Sequence, residues 1–295
     1  MFEGVHTAIT TPFRDDETID EAAFRRLVDF NIRGGVDGIV PCGTTGESPT
    51  LGTDEHHRLI DLTVEHVGGR ALVIAGTGSN CTREAVALTQ CAERAGADAA
   101  LLIAPYYNKP TQEGLYRHFK AIAESTRLPC ILYNIKGRTA VNIDTPTLFR
   151  LAGDCDNIVA VKEASGDMAQ IRAVLAERPS GFTVLSGDDS LALDVIRLGG
   201  QGVISVVSNV APEAVVRLTR LALSGDFVGA AAIHARLQPL FAAAFIETNP
   251  IPVKYMLSRM GMCREVYRLP LCKLGREHEE TVERAMREFG LVEAV

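Results

Sequence analysis

Six lysines occur in the chain, at 109, 120, 136, 162, 254 and 273, and Lys162 alone lies in a strand-like apolar run, Ile158-Val159-Ala160-Val161-Lys162-Glu163. An amine withdrawn from water resists protonation. If burial lowers its pKa from roughly 10.4 to about 7.4, the neutral fraction at pH 7 rises from under about one in a thousand to about a quarter. A neutral amine in a dry pocket attacks a ketone to form a Schiff base, and the iminium then draws electrons from the adjacent carbon. The competing reading is a strand-end lysine whose stem lies on apolar surface and whose ammonium reaches water or pairs with Glu163.

Schiff-base chemistry on a keto acid also needs a proton shuttle and a grip on the carboxylate. Tyr133 ends the run Cys130-Ile131-Leu132-Tyr133-Asn134, one strand before Lys162. Its phenol can pass protons if another hydroxyl, such as that of Thr44, holds it; strand-end tyrosines also serve plain packing. In Gly43-Thr44-Thr45-Gly46-Glu47-Ser48, glycines flank two hydroxyls and leave backbone N–H groups free for a carboxylate or small oxyanion. The segment lacks the lysine of a nucleotide phosphate loop. Arg138 has the planar fork that clamps a second carboxylate, or is a surface arginine in a polar loop. Tyr106-Tyr107 suits an interface as readily as a ligand site. No metal is expected: neighbouring His56-His57 would point about 100° apart on a helix, and Asp188-Asp189 have no third ligand in register.

These residues follow short apolar runs that recur eight times, at 7–10, 38–43, 71–76, 99–105, 130–134, 158–165, 183–189 and 202–209. The spacing, from about 33 down to about 19 residues, is that of a βα unit. Amphipathic patterns at 20–33, 54–67, 83–95 and 111–126 fill the gaps, with Asp20, Thr53 and Thr82 as N-cap candidates and Gly34, Gly68 and Gly96 as stops. Continuously apolar strands are buried on both faces, so the sheet is parallel, and eight units predict a closed (β/α)8 TIM barrel whose reactive face is the C-terminal end of its strands. A doubly wound sheet is the weaker reading, because Gly76-Thr77-Gly78-Ser79-Asn80 lacks a third glycine and follows the third strand. Helical patterns at 212–223, 226–246, 252–260 and 279–289 come last. The first closes a barrel of residues 1–224, and the others predict a small all-helical C-terminal appendix, 225–295.

The 295 residues carry 30 basic and 37 acidic side chains, a net charge of −7, with no basic run longer than two, which excludes a phosphate-backbone binder. Seven cysteines, odd in number and without a CxxC pair, read as buried thiols of a reducing cytoplasm. No leader pattern opens the chain and no apolar stretch is long enough for a membrane span.

Taken together, the motifs are Gly43-Thr44-Thr45-Gly46-Glu47-Ser48, Pro105-Tyr106-Tyr107-Asn108, Gln112-Glu113-Gly114-Leu115-Tyr116, Leu132-Tyr133-Asn134 with Arg138-Thr139, Val161-Lys162-Glu163-Ala164, Leu185-Ser186-Gly187-Asp188-Asp189, Gly202-Val203-Ile204-Ser205 and Asn249-Pro250-Ile251-Pro252-Val253-Lys254. In these the chain resembles the dihydrodipicolinate synthase and N-acetylneuraminate lyase superfamily over essentially its whole length. The resemblance implies condensation of pyruvate with L-aspartate 4-semialdehyde, on the route to diaminopimelate and lysine, by a homotetramer built as a dimer of dimers, with no external cofactor. Lys162 would form the pyruvate Schiff base. Tyr133 would move protons in a relay with Thr44 and with Tyr107 from a neighbouring subunit. Backbone at Thr44 and Thr45 would hold the pyruvate carboxylate, Arg138 the semialdehyde carboxylate, and backbone at Gly187 and Ile204 would complete the pocket.

Ser48, His56, Asn80, Glu84 and Tyr106 match the lining of the cleft where relatives bind L-lysine as a feedback effector, with Glu84 the partner for its ammonium. One histidine of that lining is missing, since Pro49-Thr50-Leu51-Gly52-Thr53 stands where many relatives read Ala-Thr-Leu-Asn-His. Lysine is expected to bind. A second departure lies at Tyr133-Asn134-Ile135-Lys136-Gly137-Arg138-Thr139, where the family pattern has Pro at the place of Lys136; losing Pro and gaining Gly137 should loosen the loop that aims Arg138. Two alternatives remain at this level: an aldolase cleaving a 2-keto-3-deoxy sugar acid or N-acetylneuraminate by the same iminium chemistry, and a non-catalytic small-molecule sensor.

Overall fold

The structure, a computed structural model, describes residues 2–293. Eight parallel strands, β1 (Gly4–Ala8), β2 (Gly38–Val40), β3 (Leu72–Gly76), β4 (Ala99–Ile103), β5 (Cys130–Asn134), β6 (Ile158–Glu163), β7 (Thr183–Ser186) and β8 (Gly202–Ser205), close into a barrel in chain order. Closure comes from β8 pairing with β1 in the register Gly4↔Gly202 to Thr7↔Ser205. Between the strands run α1 (Glu21–Arg33), α2 (Thr53–Val67), α3 (Thr82–Ala95), α4 (Gln112–Ala123), α5 (Lys136–Thr139), α6 (Thr145–Asp154), α7 (Met168–Glu177) and α8 (Ala192–Arg197), and α9 (Pro212–Leu223) follows β8. The expected TIM barrel is therefore present. Three C-terminal helices complete it: α10 (Phe227–Ala244), which packs on α8 and α9, α11 (Ile251–Arg259) and α12 (Arg276–Phe289).

Two apolar layers hold this ring. Alternate strand residues point inward and outward. Val40, Ile74, Leu101, Ile131, Tyr133, Ala160, Leu185 and Ile204 form the layer inside the barrel, whereas Ile39, Val73, Leu102, Leu132, Val161 and Val203 meet the helices outside. Each helix supplies one apolar stripe to the outer layer. On α4 that stripe is Leu115, Phe119 and Ile122, all fully buried, and each such side chain contributes roughly 1.5–3 kcal/mol of transfer free energy.

Several boundaries differ from expectation. The first strand starts at Gly4, because pairing with β8 recruits residues whose own types do not read as strand. The runs at 38–43, 158–165, 183–189 and 202–209 stop being strand two to four residues early, and the freed residues become the loops of the barrel mouth. Asp20 caps α1, accepting from the Ala23 N–H at 3.0 Å. Thr53 and Thr82 are instead the first helical residues, behind Gly52 and Cys81, and Glu55 turns back to accept from the Gly52 N–H at 2.9 Å. Gly34, Gly68 and Gly96 close their helices as expected. Cys42, Cys130 and Cys155 are buried thiols, but Cys81, at the exposed start of α3, and Cys272, in a loop, are exposed.

Candidate functional site

Strand alternation decides which way Lys162 faces. Ala160 belongs to the inner layer, so Lys162, two residues on, points into the barrel near its C-terminal mouth, and Glu163 points out. Glu163 accepts from Asn134 Nδ2 at 3.2 Å, Gln170 Nε2 at 3.3 Å and the Ser165 N–H at 2.7 Å, so it is not an ion partner for Lys162. Lys162 is 5% exposed and makes no salt bridge or hydrogen bond among the described residues. Burial pulls its pKa down to about 7, with the charge of Asp189 opposing and that of Arg138 assisting. About half of the amine is then neutral at pH 7.

Tyr133 pairs with Lys162 across β5 and β6, and the Lys162 Nζ lies 4.2 Å from the centroid of its ring. Burial pushes the phenol up to about 12, while Arg138 and the Thr44 hydroxyl pull it the other way. At neutral pH this phenol keeps its proton, and so has one to give. Beside the lysine stem, Gly187 provides room that no other residue would leave: a Cβ there would lie 3.0 Å from Lys162 Cε and 2.6 Å from Ala164 Cβ. Ile204 is fully buried in the inner layer on β8.

The loop after β2 turns sharply back on itself. Gly46 and Ser48 donate to the Gly43 carbonyl, Glu47 donates to that of Thr44, and the Thr11 hydroxyl donates to the Gly46 carbonyl at 2.7 Å. The N–H groups of Thr44 and Thr45 have no acceptor among the described residues, which is the arrangement a carboxylate can occupy. Arg138 projects from α5, where a slack loop was expected. Instead, residues 136–139 form a helical turn in which Arg138 and Thr139 donate to Ile135 and Ala140 to Lys136, and Arg138 Nη2 donates to the Asn249 carbonyl at 3.0 Å. The substitution at 136 is absorbed by that turn.

A cavity of about 360 Å³ is lined by Thr44, Tyr133 and Arg138 and, further along, by Ser48, His56, Glu84 and Tyr106. Three of the predicted catalytic and substrate-binding residues thus share one space with four of the predicted effector residues, while Lys162, Thr45, Gly187 and Ile204 do not line it. Asn80 borders it indirectly, donating to the Tyr106 carbonyl at 3.2 Å, and the Ser79 hydroxyl donates to Glu84. Burial holds the His56 pKa down at about 4, so this ring is neutral at pH 7. Tyr107 is not brought to the site by its own chain: it is 88% exposed and stands at a positive φ of 73°.

Sequence reasoning missed three residues. Asp189, considered there only as a possible cation ligand, uses its carboxylate to accept from Ser205 Oγ at 2.5 Å and from the Val206 and Val207 N–H groups at 2.8 and 3.1 Å, tying β7 to the end of β8. Lys254, fully buried on α11, pairs with Glu47 at 2.5 Å. Asn249 donates from Nδ2 to Thr45 Oγ1 at 3.0 Å. The available signal was a lysine in the otherwise apolar run 251–257, a second buried amine as conspicuous as Lys162.

Residues 1–289 match the dihydrodipicolinate synthetase family. A curated 4-hydroxy-tetrahydrodipicolinate synthase of Chlorobium phaeobacteroides is 52% identical over 289 residues, 98% of this chain and 97% of the relative. A solved dihydrodipicolinate synthase of Acinetobacter baumannii, complexed with pyruvate, superposes with a TM-score of 0.97 at 42% identity, covering 99% of this chain and 100% of the other. The Cyanidioschyzon merolae enzyme solved with lysine bound gives 0.96 at 39% identity, covering 99% of each chain.

Proposed function

Because the chain belongs to the dihydrodipicolinate synthetase family, we propose that the mouth of its barrel carries out the family reaction with Lys162 as nucleophile. The activity is that of a lyase, condensing pyruvate with L-aspartate 4-semialdehyde to 4-hydroxy-tetrahydrodipicolinate, the first committed step of diaminopimelate and lysine biosynthesis. One observation carries the assignment: an amine 5% exposed, with its pKa near 7, against the ring of a protonated phenol.

The neutral Nζ of Lys162 adds to C2 of pyruvate, and the resulting carbinolamine loses water to leave an iminium. Tyr133 gives the proton that converts the hydroxyl into departing water and afterwards accepts the proton removed from the methyl carbon, producing an enamine. The enamine carbon attacks the aldehyde of the semialdehyde, and the new alkoxide is protonated. The semialdehyde's own amine then adds to the iminium carbon, closing the ring and freeing Lys162. The N–H groups of Thr44 and Thr45 hold the pyruvate carboxylate throughout, and backbone at Gly187 and Ile204 bounds the pocket. Arg138, fastened to the Asn249 carbonyl, receives the second carboxylate. No step requires an added cofactor.

Tyr107 completes the proton relay from a neighbouring subunit of a homotetramer, a reading supported by its exposure and its held backbone. Ser48, His56, Asn80, Glu84 and Tyr106 take L-lysine, with the Glu84 carboxylate toward its ammonium; the lysine-bound relative supports this. A coupled assay with both substrates, together with borohydride trapping of pyruvate, tests the reaction. A reduced pyruvate adduct on a residue other than Lys162, or no turnover, would overturn it. Sedimentation tests the tetramer, and titration with millimolar lysine that releases no heat would remove the effector.

A further inference from the structure

Two features described above take no step in that reaction: the Glu47 that ends Gly43-Thr44-Thr45-Gly46-Glu47, and the segment Asn249 to Lys254, of which only the Asn249 carbonyl has a part, as the anchor of Arg138. In the structure they meet. Glu47 occupies left-handed backbone, φ 56°, a conformation that a residue with a Cβ adopts only when its surroundings hold it there. What holds it is visible. Its carboxylate is fully buried against the Lys254 ammonium, and its second oxygen accepts from the Arg268 N–H at 3.4 Å. The ammonium in turn stands 4.4 Å from the Phe13 ring centroid and 5.1 Å from that of Tyr267. This clasp fixes the end of the loop that carries Thr44 and Thr45.

Five residues before Lys254, Asn249 is 5% exposed and bonds two different parts of the mouth at once. Its side-chain amide donates to Thr45 Oγ1, and its main-chain carbonyl accepts from Arg138 Nη2. Its Oδ1 is buried without a hydrogen-bond partner among the described residues. A residue serving only to fill space would satisfy both ends of its amide, since an unpaired buried acceptor carries a cost.

We propose that Asn249 is a positioning residue for the condensation: it orients Thr45 within the pyruvate carboxylate cradle and, through the same residue's carbonyl, sets Arg138 at a fixed distance from that cradle, with the Glu47–Lys254 clasp holding it in register. The C-terminal helices are then part of the substrate ruler, because the separation between two carboxylate grips is what distinguishes a condensation partner of the right length. The inference rests on the functional reading given above.

The test is a double-mutant cycle on the full-length enzyme between Asn249→Ala and Thr45→Val. Losing one well-aligned hydrogen bond at a buried site should raise the pyruvate KM about tenfold in either single variant, with kcat within about threefold of the original. The double variant should be no worse than the worse single one, since both remove the same bond. Additive losses, or an unchanged pyruvate KM in Asn249→Ala, would overturn the proposal. A merely structural asparagine would lower the melting temperature and leave KM alone. If the alanine variant does not fold, Asn249→Leu keeps most of the volume while removing the hydrogen-bonding amide. It should show the same KM rise, and a KM equal to that of the unaltered enzyme would again overturn the proposal. Borohydride trapping of pyruvate on Lys162 in the unaltered enzyme is the control that separates the two claims. Its failure overturns the functional reading and this inference together, whereas trapping with an unmoved KM overturns this inference alone.

Discussion

Lys162 at the barrel mouth and Lys254 under the C-terminal helices are both lysines removed from water, and they have opposite fates. Burial lowers both pKa values. Only Lys254 has a carboxylate in direct contact, Glu47 at 2.5 Å, to favour the charged form, and two aromatic rings beside its ammonium favour that form further. Lys162 has a phenol ring, an arginine that repels it and a carboxylate that is occupied by Ser205 and two backbone N–H groups. Desolvation alone does not make a nucleophile. The companion does: a paired amine becomes a strut, and an unpaired one becomes a reagent.

That contrast breaks most sharply under substitution. Lys162→Ala should lower turnover by at least about 10⁴-fold and abolish borohydride trapping of pyruvate, read as the mass of the reduced adduct. Lys254→Met should strand Glu47 as an uncompensated buried charge, destabilising the fold by about 3–5 kcal/mol in a denaturant titration. Combining it with Glu47→Gln should recover most of that loss. If the single and double variants are equally unstable, the ion pair is not what holds the loop. A smaller effect is expected at Gly187, where the added methyl of Gly187→Ala would meet Lys162 Cε at 3.0 Å. Displacing the amine from its line of attack should slow adduct formation about tenfold, and the 2.6 Å approach to Ala164 Cβ should destabilise the fold by about 1–3 kcal/mol.

How much of this was legible in sequence depends on what kind of constraint made each feature. The barrel was legible because eight apolar runs at βα spacing have one economical closure, and the sixth run singled out Lys162 without deciding which way it faces. Its freedom from Glu163 was not legible: the choice between ion pair and open amine depends on which face each residue takes, and that is set by the register of β5 with β6 and by Asn134 and Gln170. Lys254 and Asn249 were hidden for a different reason. Their partners, Glu47 and Thr45, lie more than two hundred residues earlier, and no local pattern announces a contact of that range. The helical turn at 136–139 was missed because Gly137 reads as slack, whereas the hydrogen bonds to Ile135 and Lys136 hold it as helix.

The two amines also respond differently to pH. With a folded pKa of about 7 and an unfolded one near 10.4, Lys162 binds fewer protons in the native state than in the unfolded state between those limits. Unfolding free energy therefore rises with pH across that window, and below about pH 7 the full cost of burying an unpaired ammonium, on the order of 4 kcal/mol, is present. Lys162→Met should consequently be more stable than the unaltered enzyme at pH 6, by less as pH approaches 10, while being inactive; Lys254→Met carries the opposite sign in stability. The rate of pyruvate adduct formation should climb through a midpoint near pH 7 and level above it, because only the neutral amine adds to the ketone. Arg138 lowers this midpoint and Asp189 raises it, so Arg138→Ala should move the profile to higher pH and Asp189→Asn to lower pH. Stopped-flow trapping across pH 5–9 reads all three profiles. Shifts in the same direction for the two variants would mean that shape, not charge, sets the reactivity of the amine.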